Sequence, residues 1–263
     1  MPRVRLDSLL AERGLFESRS RAAAAVLAGD VFLGPGRSRA EKPGQFVASD
    51  VEVSVAAPPP YVSRGGVKLA NALDALGVPV AGRLALDVGA STGGFTDCLL
   101  QRGAAHVVAL DVAYGELDWR IRQDARVTVL ERVNARALDP EALPYRPDLV
   151  VSDVSFISLR KVLPAVLGVC AKRFDGLMMI KPQFEVGRER LGKGGVVRDV
   201  GLRREAVLGV ATYAQSLGAT VLGFAPSGLP GPAGNRETFV WLAEGGREGG
   251  LEDLQAVVAG VDA

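Results

Sequence analysis

Residues 84–97 read LALDVGASTGGFTD, and this stretch decides the fold. An apolar run of strand length ends at Asp87 and leads into a glycine-rich turn. Gly89, Gly93 and Gly94 permit positive φ angles and close backbone approach, so the main-chain amides of the turn can face a ligand. The order of strand, glycine turn and helix predicts a nucleotide-type binding turn in a doubly wound α/β sheet.

A second acidic residue, Asp111, closes the next apolar run, 17 positions after Gly94. This spacing is close to the ~20 residues expected before a carboxylate that receives ribose hydroxyls. The two features together indicate a cofactor that contains a ribose.

Several chemistries use a turn of this kind. A dinucleotide fingerprint requires glycine where this chain has Ser91, which disfavours NAD and FAD. Gly89, Ser91 and Gly93 also match the nucleophile elbow of hydrolases, but the single histidine, His106, follows too closely to complete their triad. An acidic strand end without a phosphate-binding Lys-Ser/Thr pair suits S-adenosylmethionine. A purely structural turn is the remaining alternative, because glycine turns are common.

The composition is that of an ordinary soluble protein. The 263 residues, 48% of them hydrophobic, suffice for a full α/β core and one small extra domain. No apolar stretch approaches the ~20 residues of a membrane span, and the charged N-terminus lacks the apolar centre of a signal peptide. We therefore expect a cytoplasmic protein. Cys98 and Cys170 read as buried free thiols, and with one histidine no metal site is expected.

Three consecutive prolines at 58–60 mark the clearest boundary in the chain. They predict a small α+β domain over 1–57, a linker over 58–62 and a larger domain over 63–263. The small domain should contain two helices and short strands around 31–33 and 51–55. In the larger domain, strands near 84–88, 106–111, 127–130, 148–152 and 176–181 alternate with helices, which predicts a parallel sheet. A final hairpin of 220–224 and 238–242 should insert an antiparallel strand.

Four polar residues stand out beyond the turn. Asp153 and Lys181 follow predicted strands, Glu237 precedes the last strand, and Lys68 lies on the helix that opens the larger domain. Individually, Lys68 and Glu237 read as surface charges, Asp153 as a helix cap and Lys181 as a strand-end charge. Together they fit methyl transfer to a poorly acidic hydroxyl, with Lys181 orienting or deprotonating it and the carboxylates holding the lysines.

The sequence disfavours other methyl acceptors. Amino groups on bases usually meet an Asn/Asp-Pro-Pro-aromatic motif, whereas residues 153–156 read DVSF. Methylation at a cytosine carbon needs a cysteine nucleophile in a site loop, and neither cysteine occupies one. A ribose 2′-hydroxyl is the favoured target.

Seven motifs carry a resemblance that covers almost the whole chain. They are RLDSLL at 5–10 with GLFESRSR at 14–21, VSRGGVKL at 62–69, DVGASTGGFTD at 87–97, DVSFIS at 153–158, IKPQFE at 180–185 and GNRE at 234–237. The set resembles the TlyA family of ribosomal RNA ribose 2′-O-methyltransferases, relatives of the FtsJ-type enzymes.

The resemblance implies roles for particular residues. The catalytic tetrad would be Lys68, Asp153, Lys181 and Glu237. The S-adenosylmethionine pocket would comprise Asp87, Gly89, Ser91, Thr92, Gly93, Phe95, Asp111 and Asn134, the last near the adenine. The first domain is similar to an RNA-binding module of a ribosomal protein and of pseudouridine synthases. RNA contacts are expected at Arg19, Arg21, Arg64 and Arg188, although arginine clusters are more often solvated faces.

The implied activity is methylation of a ribose 2′-hydroxyl in small- or large-subunit ribosomal RNA. The resemblance implies that this ribose belongs to a cytidine. Ribosomal RNA and ribosomal subunits are the implied partners. Two alternatives stay open. Members of the family have been labelled haemolysins, which would mean a membrane-active toxin, and the chain could instead be a noncatalytic RNA-binding assembly factor.

Overall fold

The computed structural model describes residues 2–56 and 59–261, which fall into two compact units. The first unit runs up to Pro59 and the second begins at Pro60. Pro58, which belongs to the predicted linker, lies outside the described residues.

The described residues of the first unit form two helices and five short strands. They are β1 (Arg3–Arg5), α1 (Leu6–Glu12), α2 (Arg19–Ala28), β2 (Val31–Leu33), β3 (Ser38–Arg39), β4 (Phe46–Ala48) and β5 (Val53–Val55). Ser18 caps α2 by accepting the Arg21 N–H at 3.2 Å, and Gly29 ends it with φ 81°. The two predicted helices are confirmed, whereas β1, β3 and β4 were not predicted. Strands this short are defined by the strand they pair with: β1 pairs with β4, and β3 pairs with β2.

The second unit is an α/β domain. Its helices are α3 (Arg64–Leu76), α4 (Gly94–Gln101), α5 (Trp119–Arg122), α6 (Leu163–Val169), α7 (Val200–Ser216) and α8 (Leu254–Gly260). Its strands are β6 (Leu84–Val88), β7 (His106–Asp111), β8 (Val127–Glu131), β9 (Leu149–Ser152), β10 (Asp175–Ile180), β11 (Thr220–Pro226) and β12 (Thr238–Ala243). All seven predicted strands are present within two residues of their predicted bounds.

These strands form one sheet in the order β11-β12-β10-β9-β6-β7-β8. Strands β6 to β10 are parallel, and β12 lies antiparallel between β10 and β11. The predicted doubly wound class with an inserted antiparallel strand is confirmed. The chain order reverses between β6 and β9, and such a switch point opens a crevice beyond the carboxyl ends of the strands.

Both faces of the sheet are covered. Helices α3, α4 and α5 bury one apolar layer, which includes Leu69, Leu99 and Ile121. Helices α6, α7 and α8 bury the other, which includes Val166 and Val210. Both cysteines are buried free thiols, as predicted. The packed layers hold the strand ends rigidly, so the loops that follow them can be positioned accurately.

Candidate active site

The glycine turn after β6 differs in detail from the prediction. Gly89 and Gly93 have φ angles of 87° and 91°, but the third residue with positive φ is Ser91, at 46°. Gly94 begins α4 instead, and a Cβ there would lie 2.1 Å from the Ser63 Oγ. Gly94 is therefore required for close packing of α4 on the start of α3.

Four amides of this turn donate hydrogen bonds to acceptors within the protein. Gly89 and Ala90 donate to the Leu110 carbonyl at 2.8 and 3.1 Å, Ser91 donates to Asp111 at 2.7 Å, and Gly93 donates to the Ala90 carbonyl at 2.7 Å. The expectation that these amides face a ligand is wrong. A pyrophosphate needs such amides as donors, so the turn fits a cofactor without phosphate.

Asp111 closes β7 and anchors the turn. One carboxylate oxygen accepts the Ser91 N–H at 2.7 Å, and the other accepts the Ala113 N–H at 2.8 Å. A carboxylate has about four lone-pair positions, so both oxygens can still accept ribose hydroxyls. The structure is compatible with the predicted ribose contact.

Asp87 lies fully buried beneath the turn. One oxygen accepts the Thr96 hydroxyl at 2.7 Å, and the other has no hydrogen-bond partner within the described residues. Burial raises the pKa of Asp87 to about 7, despite the Thr96 hydrogen bond. An underpaired buried carboxyl of this kind would be stabilised in its ionised form by a cationic ligand nearby, and S-adenosylmethionine carries a sulfonium cation.

A cavity of about 480 Å³, here called the cofactor cavity, opens beside Asp111. Its walls include the apolar side chains of Val112, Val133 and Ile157, which suit a flat purine ring. Asn134 also lines it, and its side chain accepts the Arg136 N–H at 3.0 Å. The residues present therefore fit a ribose and an adenine.

A second cavity of about 560 Å³, here called the acceptor cavity, adjoins the first. All four catalytic candidates line it: Lys68, Asp153, Lys181 and Glu237. The two cavities share five lining residues, namely Gly89, Ser91, Asp153, Ser155 and Phe156. Two ligands can therefore meet where these residues lie.

The four catalytic candidates form two ion pairs. Lys68 pairs with Glu237, and both residues are buried, so the reading of these two residues as surface charges is wrong. The Lys181 Nζ lies 2.5 Å from the Asp153 Oδ1 and donates to the Ser155 Oγ at 2.7 Å. Asp153 follows β9 and Lys181 follows β10, and these neighbouring parallel strands bring them together.

The other predicted pocket residues take different positions. Thr92 is exposed and lines the acceptor cavity. Phe95 also lines it but is mostly core, with its ring 5.8 Å from that of Phe239.

Among the residues of the acceptor cavity that sequence reasoning missed, two have distinctive surroundings. Phe156 is 92% exposed at a φ of 64°, and its ring lies 5.5 Å from that of Phe184. The Gln183 Oε1 is buried without a hydrogen-bond partner in the described chain. The aromatic that ends the DVSF motif was a usable signal for Phe156, whereas nothing local marks Gln183.

The arginines predicted to bind RNA lie on both units. In α2, Arg19 and Arg21 are exposed, with loose contacts to Asp7 at 3.5 Å and Glu17 at 3.4 Å. In the second unit, Arg64 lines the acceptor cavity and donates to the Pro230 carbonyl at 3.0 Å, and Arg188 is exposed. Their contact with RNA stays a prediction.

Among residues 2–56 and 59–261, no helix has the length and apolar character needed to cross a membrane. No group of three or more His, Cys, Asp and Glu side chains in the same ranges could hold a metal ion.

Comparison with known proteins identifies the family. Residues 61–244 match the FtsJ-like methyltransferases. The chain is 52% identical to the Mycobacterium tuberculosis 16S/23S rRNA (cytidine-2′-O)-methyltransferase TlyA, over 91% of this chain and 90% of the relative. It is 38% identical to Hemolysin A of Brachyspira hyodysenteriae, over 89% and 97%. A solved Streptococcus thermophilus structure, named as a hemolysin, matches with a TM-score of 0.73 at 37% identity, over 98% and 95%. The chain therefore belongs to the TlyA family of FtsJ-like methyltransferases.

Proposed function

We propose that the protein transfers a methyl group from S-adenosylmethionine to the ribose 2′-hydroxyl of a cytidine in ribosomal RNA. The observation that carries this proposal is the position of Lys181, which lines the acceptor cavity and pairs with Asp153, a residue that lines both cavities. A base beside that junction can reach a hydroxyl in one cavity while a methyl donor occupies the other.

The roles of the residues follow from their places. When bound, S-adenosylmethionine supplies an electrophilic methyl group. Asp111 would hold the cofactor ribose, and Val112 and Ile157 would contact the adenine. Lys181 orients the 2′-hydroxyl and takes its proton, while Asp153 positions Lys181. Lys68, fixed by Glu237, offers a cation to the developing charge on the acceptor oxygen.

The substrate assignment rests on the relatives. The Mycobacterium relative is named for cytidine in 16S and 23S rRNA, and at 52% identity the same chemistry is the best assignment for this chain. The exposed ring of Phe156 offers a stacking surface to a base that leaves its helix. We propose ribosomal RNA and ribosomal subunits as the partners and the cytoplasm as the place of action.

The test is transfer of radiolabelled methyl from S-adenosylmethionine to unmethylated ribosomal subunits and to their stripped RNA. Digestion to nucleosides should locate the label in a 2′-O-methylcytidine. Lys181→Ala should lower the rate at least 100-fold, because a positioned general base contributes 10²–10⁴-fold. Its affinity for the cofactor should stay nearly unchanged.

Lys172→Ala is the matched control, because Lys172 is exposed and lies outside both cavities. It should methylate at the wild-type rate. Wild-type protein that binds the cofactor but labels neither subunits nor RNA would contradict the proposal and favour a noncatalytic assembly factor.

The name Hemolysin A of one relative calls for a direct test of membrane activity. We expect no leakage of dye from liposomes at protein concentrations that saturate methylation. Leakage that persists in Lys181→Ala would establish a separate membrane activity.

A further inference from the structure

Ser155 contacts Lys181 but has no part in the four-residue catalytic set. Its Oγ accepts a hydrogen bond from the Lys181 Nζ at 2.7 Å, while the Asp153 Oδ1 lies 2.5 Å from the same nitrogen. Both partners belong to the loop that follows β9, and Ser155 lines both cavities. The amino group of Lys181 is therefore held at two points by one loop.

The geometry of an amine makes this arrangement significant. The Nζ nitrogen is tetrahedral, with one bond to Cε and three remaining directions. One N–H donates to the Ser155 Oγ, while the Asp153 Oδ1 lies at ion-pair distance without accepting a hydrogen bond from the described residues. Lys181 lines the acceptor cavity, so a direction of the Nζ remains for a ligand there.

A single anchor would not achieve this. With Asp153 alone, rotation about the Cε–Nζ bond could point any of the other directions at the ligand. The directional hydrogen bond to Ser155 removes that freedom, so the lone pair of the neutral amine has a fixed direction. Such preorganisation lowers the entropy cost of reaching the reactive geometry.

We propose that Ser155 is a positioning residue that, with Asp153, aims the free lone pair of Lys181 at the acceptor 2′-hydroxyl. This inference rests on the proposed function. The hydroxyl proton moves to Nζ, the oxygen keeps its electron pair for the new bond to carbon, and Ser155 neither gains nor loses a proton.

The first test measures catalysis by Ser155→Ala and Ser155→Thr. Ser155→Ala should lower kcat about tenfold, which corresponds to about 1.4 kcal/mol, and leave the Kd for S-adenosylmethionine unchanged. The pH dependence of kcat should also shift, because Ser155→Ala removes a polar neighbour of the Lys181 Nζ. The charged side chains of Asp153, Lys68 and Glu237 remain in the cavity. Ser155→Thr keeps the hydroxyl and should recover most of the rate.

The second test needs neither cofactor nor RNA. Acetic anhydride is added to the free protein, and acetylation of Lys181 is followed by mass spectrometry. A two-point hold restricts the Nζ, so Ser155→Ala should acetylate Lys181 several-fold faster than wild type, with exposed Lys172 as the internal standard. Ser216→Ala, an exposed serine at the end of α7, is the matched control and should behave as wild type in both tests.

Wild-type kcat, pH profile and Lys181 acetylation in Ser155→Ala would overturn the inference. Absence of methylation by the wild-type protein would instead count against the proposed function, and the acetylation test would still decide whether Ser155 holds Lys181.

Discussion

At the scale of single residues, the buried pair of Lys68 and Glu237 joins positions 169 residues apart. Neither has a local sequence context that distinguishes it from a surface charge. Burial of one charge is tolerated here because the other compensates it, and removal of either leaves an unpaired charge in the interior.

Glu237→Ala should therefore lower the free energy of unfolding by about 3–5 kcal/mol, measured in urea, and should also abolish methylation. Asp175→Ala is the matched control. Asp175 is a buried carboxylate bonded to Arg83 and Trp241 at the opposite end of the sheet. It should lose similar stability but keep methylation. An equal loss of methylation in both variants would show that Glu237 acts only through stability.

Asp87 makes a prediction about pH. Its pKa is raised in the folded protein to about 7, above the unfolded value of about 3.9, so the folded state favours the neutral form. Asp87 therefore costs no stability below pH 4, and the cost grows as pH rises toward 7. Asp87→Asn should raise the free energy of unfolding by roughly 1–4 kcal/mol at pH 8 and much less at pH 4. A difference that is independent of pH would contradict the burial of an ionisable Asp87.

At the scale of elements, the turn between β6 and α4 is the most constrained segment. Gly89 adopts φ 87°, and a Cβ there would lie 2.8 Å from the Asp153 carbonyl oxygen. The turn is thus packed directly against the loop that carries Asp153 and Ser155. Because backbone cannot move aside as a flexible side chain can, a larger residue would displace that loop.

Gly89→Ala should cost both stability and function. We expect a loss of about 1–3 kcal/mol from the strained backbone and a cofactor Kd raised at least tenfold. Gly218→Ala separates the two effects, because Gly218 has φ 88° but open space around its Cβ position. It should lose stability without loss of cofactor binding. Normal cofactor affinity in Gly89→Ala would show that the loop can shift freely.

At the scale of the whole molecule, the chain contains a compact first unit and a separate α/β unit. The exposed arginines of α2 belong to the first, and the two cavities belong to the second. RNA binding by the arginines of α2 and methyl transfer in the second unit are therefore expected to respond to different substitutions.

Arg19→Ala combined with Arg21→Ala should weaken RNA binding and reduce the dependence of log Kd on log salt by about 1.4–1.8, since each lost phosphate contact removes about 0.7–0.9. Binding of S-adenosylmethionine should be unaffected. Arg173→Ala, an exposed arginine just before β10, serves as the control. An unchanged salt dependence in the double variant would show that Arg19 and Arg21 merely face solvent.

The sequence by itself determined the order of strands and helices in the second unit, its fold class and its family. Apolar periodicity, the glycine turn and the acidic ends of β6 and β7 are local patterns, and each can be recognised within a short segment of the sequence. The quoted motifs also predicted which four residues would meet in the acceptor cavity.

Only the tertiary structure decided how those residues are used. It paired Lys68 with Glu237, gave Lys181 a second partner in Ser155, exposed Phe156 and directed the turn amides to Leu110 and Asp111. The physical reason is that burial and hydrogen-bond partners come from segments distant in sequence, brought together by packing on both faces of the sheet. A local pattern can fix an element, but the partner of a charge or an amide depends on which strands become neighbours.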